Sequence, residues 1–297
     1  VKQAIDSYDA HLSEKGTIDI GRNETVRRLR TFFGKPDALL SSVTPKDAEE
    51  LYENFRRRTK EDGAPISVSY HRATLINARS LFKWCVRNGL ADANPFAAVE
   101  GVGRRNAGKD QWTGDETRKF FAYALPLVET GDKAALACLM ALLMALRSSD
   151  ITKRVVRDVD LDATVLRVTH GKTAKSNRPR RIPELLQPML RKLVDGRSPF
   201  EPLFRSSYTD SGHYTRRWLE QALEKFCEGC GVPRVVPHAL KGTAGTLLAA
   251  TGELADRIAD HLSHEEAGTT RKHYVAPGTV EAAQAARALT VIAGGRR

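Results

Sequence analysis

The chain has 297 residues, 41% hydrophobic and 28% charged, and carries a formal net charge of +11. That length holds one large domain or two ordinary ones, each able to bury its own core, and the composition excludes a disordered or fibrous chain. Residues 1–112 carry +4 and the remainder +7, which excludes a neutral enzyme with a basic tail and favours a polyanionic partner for both halves, nucleic acid before membrane.

Residues 1–100 read as all helix. A short first helix covers Ile5–Leu12, and a second covers Asn23–Phe33 with Arg27, Arg28 and Arg30 along it. Thr44 and Pro45 open a third as N-cap and first helical residue, and it ends in the run Arg56–Arg58. Ser67 or Ser69 starts a fourth helix that reaches Asn88 and closes at Gly89. Its Leu75, Ala78, Leu81, Phe82 and Cys85 form one apolar stripe, while Arg72, Arg79 and Lys83 lie outside it and are candidates for phosphate contact. The Arg56–Arg58 run reads equally well as a solvated face. Residues 101–111, rich in glycine and including Arg104 and Arg105, form the linker.

The second domain, 112–297, begins at Trp112, with Thr113 capping a helix over 114–123. The longest apolar run, Ala134–Leu146, is 13 residues, too short to span a bilayer and suited to a core helix over 133–146. Residues 155–183 are the strand-rich stretch: Ala163–Thr169 alternates, 171–177 is a polar turn, and Arg180–Pro183 returns. Helices follow over 184–194, 214–230, 239–251 and 253–262, then a short one near 270–274 and a tail helix over 279–292. Cys227 and Cys230 form a lone CxxC that reads as a helix end before Gly231 rather than a metal or redox pair. The chain opens on Val1 rather than Met, which points to a leader or small module ahead of it.

The chemistry concentrates in the second domain. His238 and Lys241 are three apart and share a helical face, so both address one phosphate. Arg147 offers a planar fork that matches two phosphate oxygens, and Asp150 lies three residues on, placed to hold a basic partner. Lys172 and Lys175 sit in the polar turn with Arg178 just beyond it; His264 follows Leu262, and Tyr274 lies ten residues further. A tyrosine nucleophile, fixed cations and proton-transfer groups meet the needs of phosphodiester cleavage. Each has a plainer reading alone: a surface tyrosine, a helix-end histidine, an arginine that neutralises a helix dipole, a solvated turn lysine.

In combination, these residues resemble the tyrosine recombinase (phage integrase) family. Leu146-Arg147-Ser-Ser-Asp150 resembles its Leu-Arg-x-x-Glu/Asp box, His238-Ala-Leu-Lys241 its His-x-Leu-Arg box, Leu262-Ser-His264 its Leu-Gly-His box, and Thr269 to Tyr274 its Thr-Thr-x-x-x-Tyr box. Lys172, or else Lys175, matches the family's hairpin lysine. The departures are Lys241 in place of an arginine and Gly242 where a histidine is common. Lysine keeps the charge but loses the bidentate grip, a change worth up to about 10²–10³ in rate.

The resemblance implies a mainly α fold with a small antiparallel β-sheet: a helical, SAM-like core-binding domain over 1–100 and a mixed α/β catalytic domain over 112–297. It implies site-specific recombination through a 3′-phosphotyrosine, with Tyr274 as nucleophile and Arg147, Lys241 and His264 stabilising the phosphorane. Lys172 is then the general acid, His238 the base or proton shuttle, and no metal or other cofactor takes part. Double-stranded DNA with paired recombination sites and a homo-tetramer on it are the implied partners, with room for an accessory DNA-bending factor. No membrane association is implied, and the setting is the prokaryotic cytoplasm at the nucleoid. The competing readings are a DNA-binding relative weakened by Lys241, a type IB-like topoisomerase and, remotely, a metallohydrolase using His238, His264 and His273.

Overall fold

The computed structural model describes residues 1–34, 39–103, 110–169, 177–262, 275 and 279. The chain divides into two compact units, Val1–Asn106 and Ala107–Arg297, each with its own apolar core.

The first unit contains α1 (Lys2–Glu14), α2 (Asp19–Phe33), α3 (Pro45–Arg56) and α4 (Val68–Arg87). α2 starts four residues before the predicted Asn23, because its first turn is largely solvated, with Ile20 exposed and off the buried face that begins at Val26. Thr44 and Asp47 form a reciprocal capping box on α3: Asp47 N donates to Thr44 Oγ1 at 3.2 Å, and Thr44 N donates to Asp47 Oδ2 at 2.8 Å. Ser67 Oγ accepts from Tyr70 N and caps α4, as one of the two serines was expected to do. The α4 stripe Leu75, Ala78, Leu81, Phe82 and Cys85 is wholly buried, and it packs with Phe32, Phe33, Phe55 and Phe96.

The second unit is built around α6 (Lys133–Leu143), packed by α5 (Gly114–Glu129), α9 (Arg216–Cys230) and α10 (Pro237–Ala250). α5 outruns its predicted end at 123, through Pro126, because Ala124 and Val128 continue its buried face. α6 stops at Leu143, short of the predicted 146, for a reason that bears on the site. Among the described residues the other α-helices are α7 (Ser148–Thr152), α8 (Gln187–Val194) and α11 (Ala255–Leu262). α9 ends on Gly231, whose φ of +66° is the left-handed cap expected of a glycine after the CxxC.

Among the described residues three short strands, β1 (Val159–Asp160), β2 (Val165–Leu166) and β3 (Arg180–Arg181), form one antiparallel sheet in the order β1-β2-β3. Val159 pairs with Leu166, and Val165 with Arg181. β2 is shorter than the alternation over 163–169 predicts. Buried Arg154 takes the carbonyls that a longer ladder would use, donating to Arg167 O at 3.2 Å and to Thr169 O at 2.9 Å. The architecture is mainly α with a small antiparallel sheet. Among the described residues no helix is long and apolar enough to cross a membrane. The turn 171–176, the helix near 270–274 and all of the 279–292 tail except Thr279 lie outside the described residues.

Candidate active site

The site begins where α6 breaks. Ala145 takes a φ of +50°, a left-handed conformation that costs a non-glycine residue free energy. The chain turns there, so Arg147 becomes the N-cap residue of α7 instead of the last residue of a long helix. Arg147 N donates to Asp150 Oδ2 at 3.0 Å, and the same oxygen lies 3.9 Å from Arg147 Nη1. Asp150 is 7% exposed, so this carboxylate is a buried anchor for the arginine, in both backbone and charge.

α10 brings the second pair. Pro237 occupies its first helical position, where a missing N–H costs nothing. His238 follows, half-buried, and Lys241 lies one turn deeper at 1% exposure. Burial and then the charges of Arg147 and Arg180 push the Lys241 ammonium down to about 7, against the opposing pull of Asp150. The next residue explains one departure in the motif. A Cβ at Gly242 would stand 2.6 Å from Gln111 Nε2, and Gln111 Oε1 accepts from Thr246 Oγ1 at 2.6 Å. Trp112 adds two bonds, from its N to Thr243 Oγ1 and from its Nε1 to Pro233 O. The segment entering α5 is therefore clamped onto the helix that carries Lys241, and a side chain at 242 would have to displace the Gln111 amide from its bond to Thr246.

Two further residues join this cluster. Arg180 on β3 reaches the carbonyls of Asp260 and His261, at 3.4 and 3.3 Å, at the end of α11. His261 has its pKa lowered by burial first, then by Arg180 and Lys241. Neither was singled out from the sequence, although His261 stands in the last turn of the amphipathic helix before His264. Arg180 was hidden in the run Arg178-Pro-Arg180-Arg181, where nothing but strand alternation separates a half-buried arginine from its exposed neighbours.

Arg147 and His238 open onto a groove of about 1070 Å³ whose lining includes Lys153, Arg157, His213 and Arg216. His213 is oriented by Nδ1, 2.9 Å from Thr152 O, and Arg157 lies over the Phe200 ring at 4.7 Å. Such a basic groove suits a phosphate backbone. Arg178 is exposed and lies 3.9 Å from exposed Asp260. Lys172, Lys175, His264, Tyr274, Arg104 and Arg105 lie outside the described residues, as does His273. The thiols of Cys227 and Cys230 are pushed up, chiefly by burial, and both are free.

In the first unit, the α4 candidates differ among themselves. Arg72 Nη1 donates to Gly103 O at 2.5 Å, while Arg79 donates from Nε to Phe96 O at 3.0 Å and from Nη2 to Val99 O. Both guanidinium groups thus hold the segment that leads into the linker. Lys83 is exposed. Tyr52 completes the clamp: its hydroxyl accepts from Val102 N at 3.1 Å and lies 2.8 Å from His71 Nδ1.

Among curated proteins none matches this chain by sequence. By structure it resembles the Tn1549 transposon integrase in complex with circular intermediate DNA, at 18% identity and a TM-score of 0.69, covering 95% of this chain and 98% of that one. It also resembles a lambda integrase dimer bound to a COC′ core site, at 16% identity and a TM-score of 0.66, covering 90% and 96%. These likenesses establish a shared fold. The phage integrase family model matches residues 113–279, more than half of the chain and a range that contains the positions from Arg147 to Tyr274. The chain belongs to the phage integrase family, the tyrosine site-specific recombinases.

Proposed function

We propose that this recombinase cuts and rejoins double-stranded DNA at paired sites, with Tyr274 as nucleophile. The tyrosine oxygen attacks the scissile phosphorus and the P–O5′ bond breaks. A proton from Lys172 goes to the leaving 5′-oxygen, and a 3′-phosphotyrosine remains. His238 takes the tyrosine proton. Arg147, Lys241 and His264 hold the charge that builds on the non-bridging oxygens, and Asp150 keeps Arg147 in place. Attack by the partner strand's 5′-hydroxyl reverses the step and reseals the strand. Because one ester replaces another at each step, the bond energy is conserved and no ATP is consumed.

The observation that carries this reading is the convergence of half-buried Arg147 and buried Lys241 near the carboxylate of Asp150, with Arg147 and His238 at the wall of a basic groove. The DNA-bound integrases of the same fold support DNA as the partner. In this reading a homo-tetramer pairs two sites, and an accessory DNA-bending factor assists it. The setting is the prokaryotic nucleoid.

The test uses nicked suicide DNA bearing the ends of the element that encodes the chain. The natural protein should form an SDS-resistant adduct, and Tyr274→Phe should form none. Lys241→Arg should form it at least as fast. Absence of an adduct from all three proteins, on DNA shown to be bound, overturns the strand-exchange reading.

A further inference from the structure

The cations around Lys241 include one that the family boxes do not name. β3 consists of Arg180 and Arg181 alone, and its alternation leaves Arg181 exposed while Arg180 turns inward. Nη1 of Arg180 sits against the last carbonyls of α11, where orphan acceptors and the negative end of the helix dipole favour a cation. Its Nε is buried and has no hydrogen-bond partner among the described residues. Burial lowers the pKa of this guanidinium, and Arg147 and Arg178 lower it further against the opposing effect of Asp150. Arg147 thus acts on the charge of both Arg180 and Lys241, Arg180 acts on that of Lys241, and the carboxylate of Asp150 opposes them at both groups. A buried N–H without an acceptor, inside a cluster with more cations than anions, is costly until an anion enters.

We propose that Arg180 is a catalytic residue of this chain, a second guanidinium on the scissile phosphate that supplies the directional hydrogen bonding Lys241 lacks. The proposal rests on the strand-exchange reading above. Lysine is a compact point charge, whereas the guanidinium is a planar fork that presents parallel donors to two oxygens. With Nη1 held by α11, the Nε edge of Arg180 is fixed in direction before DNA arrives, so little ordering is left for the transition state. The phosphorane gains charge on its non-bridging oxygens, so a donor aimed there accelerates cleavage more than it tightens binding.

The experiment measures single-turnover adduct formation by the full chain, its Arg180→Ala and Arg180→Lys variants, and the same pair in a Lys241→Arg background. Each is tested on nicked DNA whose scissile group is either the natural phosphodiester or a methylphosphonate, which lacks the anionic oxygen. On the phosphodiester, Arg180→Ala should slow cleavage about 10²–10³-fold, with a much smaller change in DNA affinity. Arg180→Lys, which retains charge and size, should recover part of the rate and carries the comparison where the alanine variant fails to fold. The penalty should shrink on the methylphosphonate and again in the Lys241→Arg background, where a guanidinium has returned to the family position. An unchanged rate for Arg180→Ala overturns the proposal. So does an equal loss on both phosphorus groups and in both backgrounds, which would mark Arg180 as a prop for the end of α11. Absence of adduct from the natural chain on bound phosphodiester DNA defeats the strand-exchange reading, and this proposal with it.

Discussion

Lysine at position 241 gives the site a titratable charge where a family arginine would have a fixed one. With its ammonium pushed down to about 7 by burial, Arg147 and Arg180, a fraction of the DNA-free protein carries neutral Lys241 at neutral pH. If phosphate is held by the charged form, kcat/KM for adduct formation falls as pH rises through about 7, and Lys241→Arg carries the plateau well into alkali. A profile that Lys241→Arg leaves unmoved would refute this. The same shift has a consequence for stability. The folded pKa lies below the ordinary 10.5, so between the two values the unfolded chain binds a proton that the folded chain does not. Stability therefore rises with pH across that window, by up to about 1.4 kcal/mol per unit for this one group. Lys241→Met, which removes the buried charge, should be more stable than the natural chain near pH 7, with the gap narrowing towards pH 10. Urea unfolding without DNA measures it, and a gap independent of pH counts against a buried, depressed ammonium.

At the scale of elements, the helices with apolar stripes and capping residues were legible in the sequence: α3 and α4 from Thr44 and Ser67, α5 from Thr113, and the end of α9 from Gly231. The break after Leu143 was not, because Met144, Ala145 and Leu146 continue the apolar run and nothing in their composition announces a positive φ at an alanine. The short β2 was hidden for a different reason: Arg154 intervenes from another element. Within the site, the boxes gave Arg147, Asp150, His238 and Lys241, which the fold brings to one region. Arg180 and His261 enter only through packing of β3 and α11. The α5–α9 contact offers a test of such packing. Gly229 lies inside α9, and a Cβ there would stand 2.6 Å from Tyr123 Cζ. Alanine in a helix interior gains up to about 1 kcal/mol over glycine, but a Cβ here must displace the end of the Tyr123 ring, which is 37% exposed and has solvent to swing into. Gly229→Ala should thus raise stability by less than about 1 kcal/mol in urea unfolding, and by more in a Tyr123→Ser background. An additive pair would mean that the glycine serves some other purpose.

For the whole molecule, the question is which of its basic residues face DNA, since a net charge of +11 does not distinguish them. Each phosphate neutralised by a lysine or arginine contributes about 0.9 to the slope of log K against log salt. Arg79 and Lys83 stand one turn apart on α4 and differ in what holds them. Lys83 is exposed, whereas Arg79 is tied by Nε to Phe96 O and by Nη2 to Val99 O, at the segment that Tyr52 also clamps through Val102 N. Lys83→Ala should reduce the salt slope by about 1 and leave thermal stability unchanged. Arg79→Ala should do the reverse: the slope stays put, and stability falls by about 1–3 kcal/mol as part-buried carbonyls lose a charged donor. Filter binding over a salt series and urea unfolding of the same two proteins give both quantities. If Arg79→Ala lowers the slope without destabilising the chain, the guanidinium leaves its carbonyls for phosphate when DNA binds. The clamp would then be a resting state of a DNA contact rather than a fixed root for the linker.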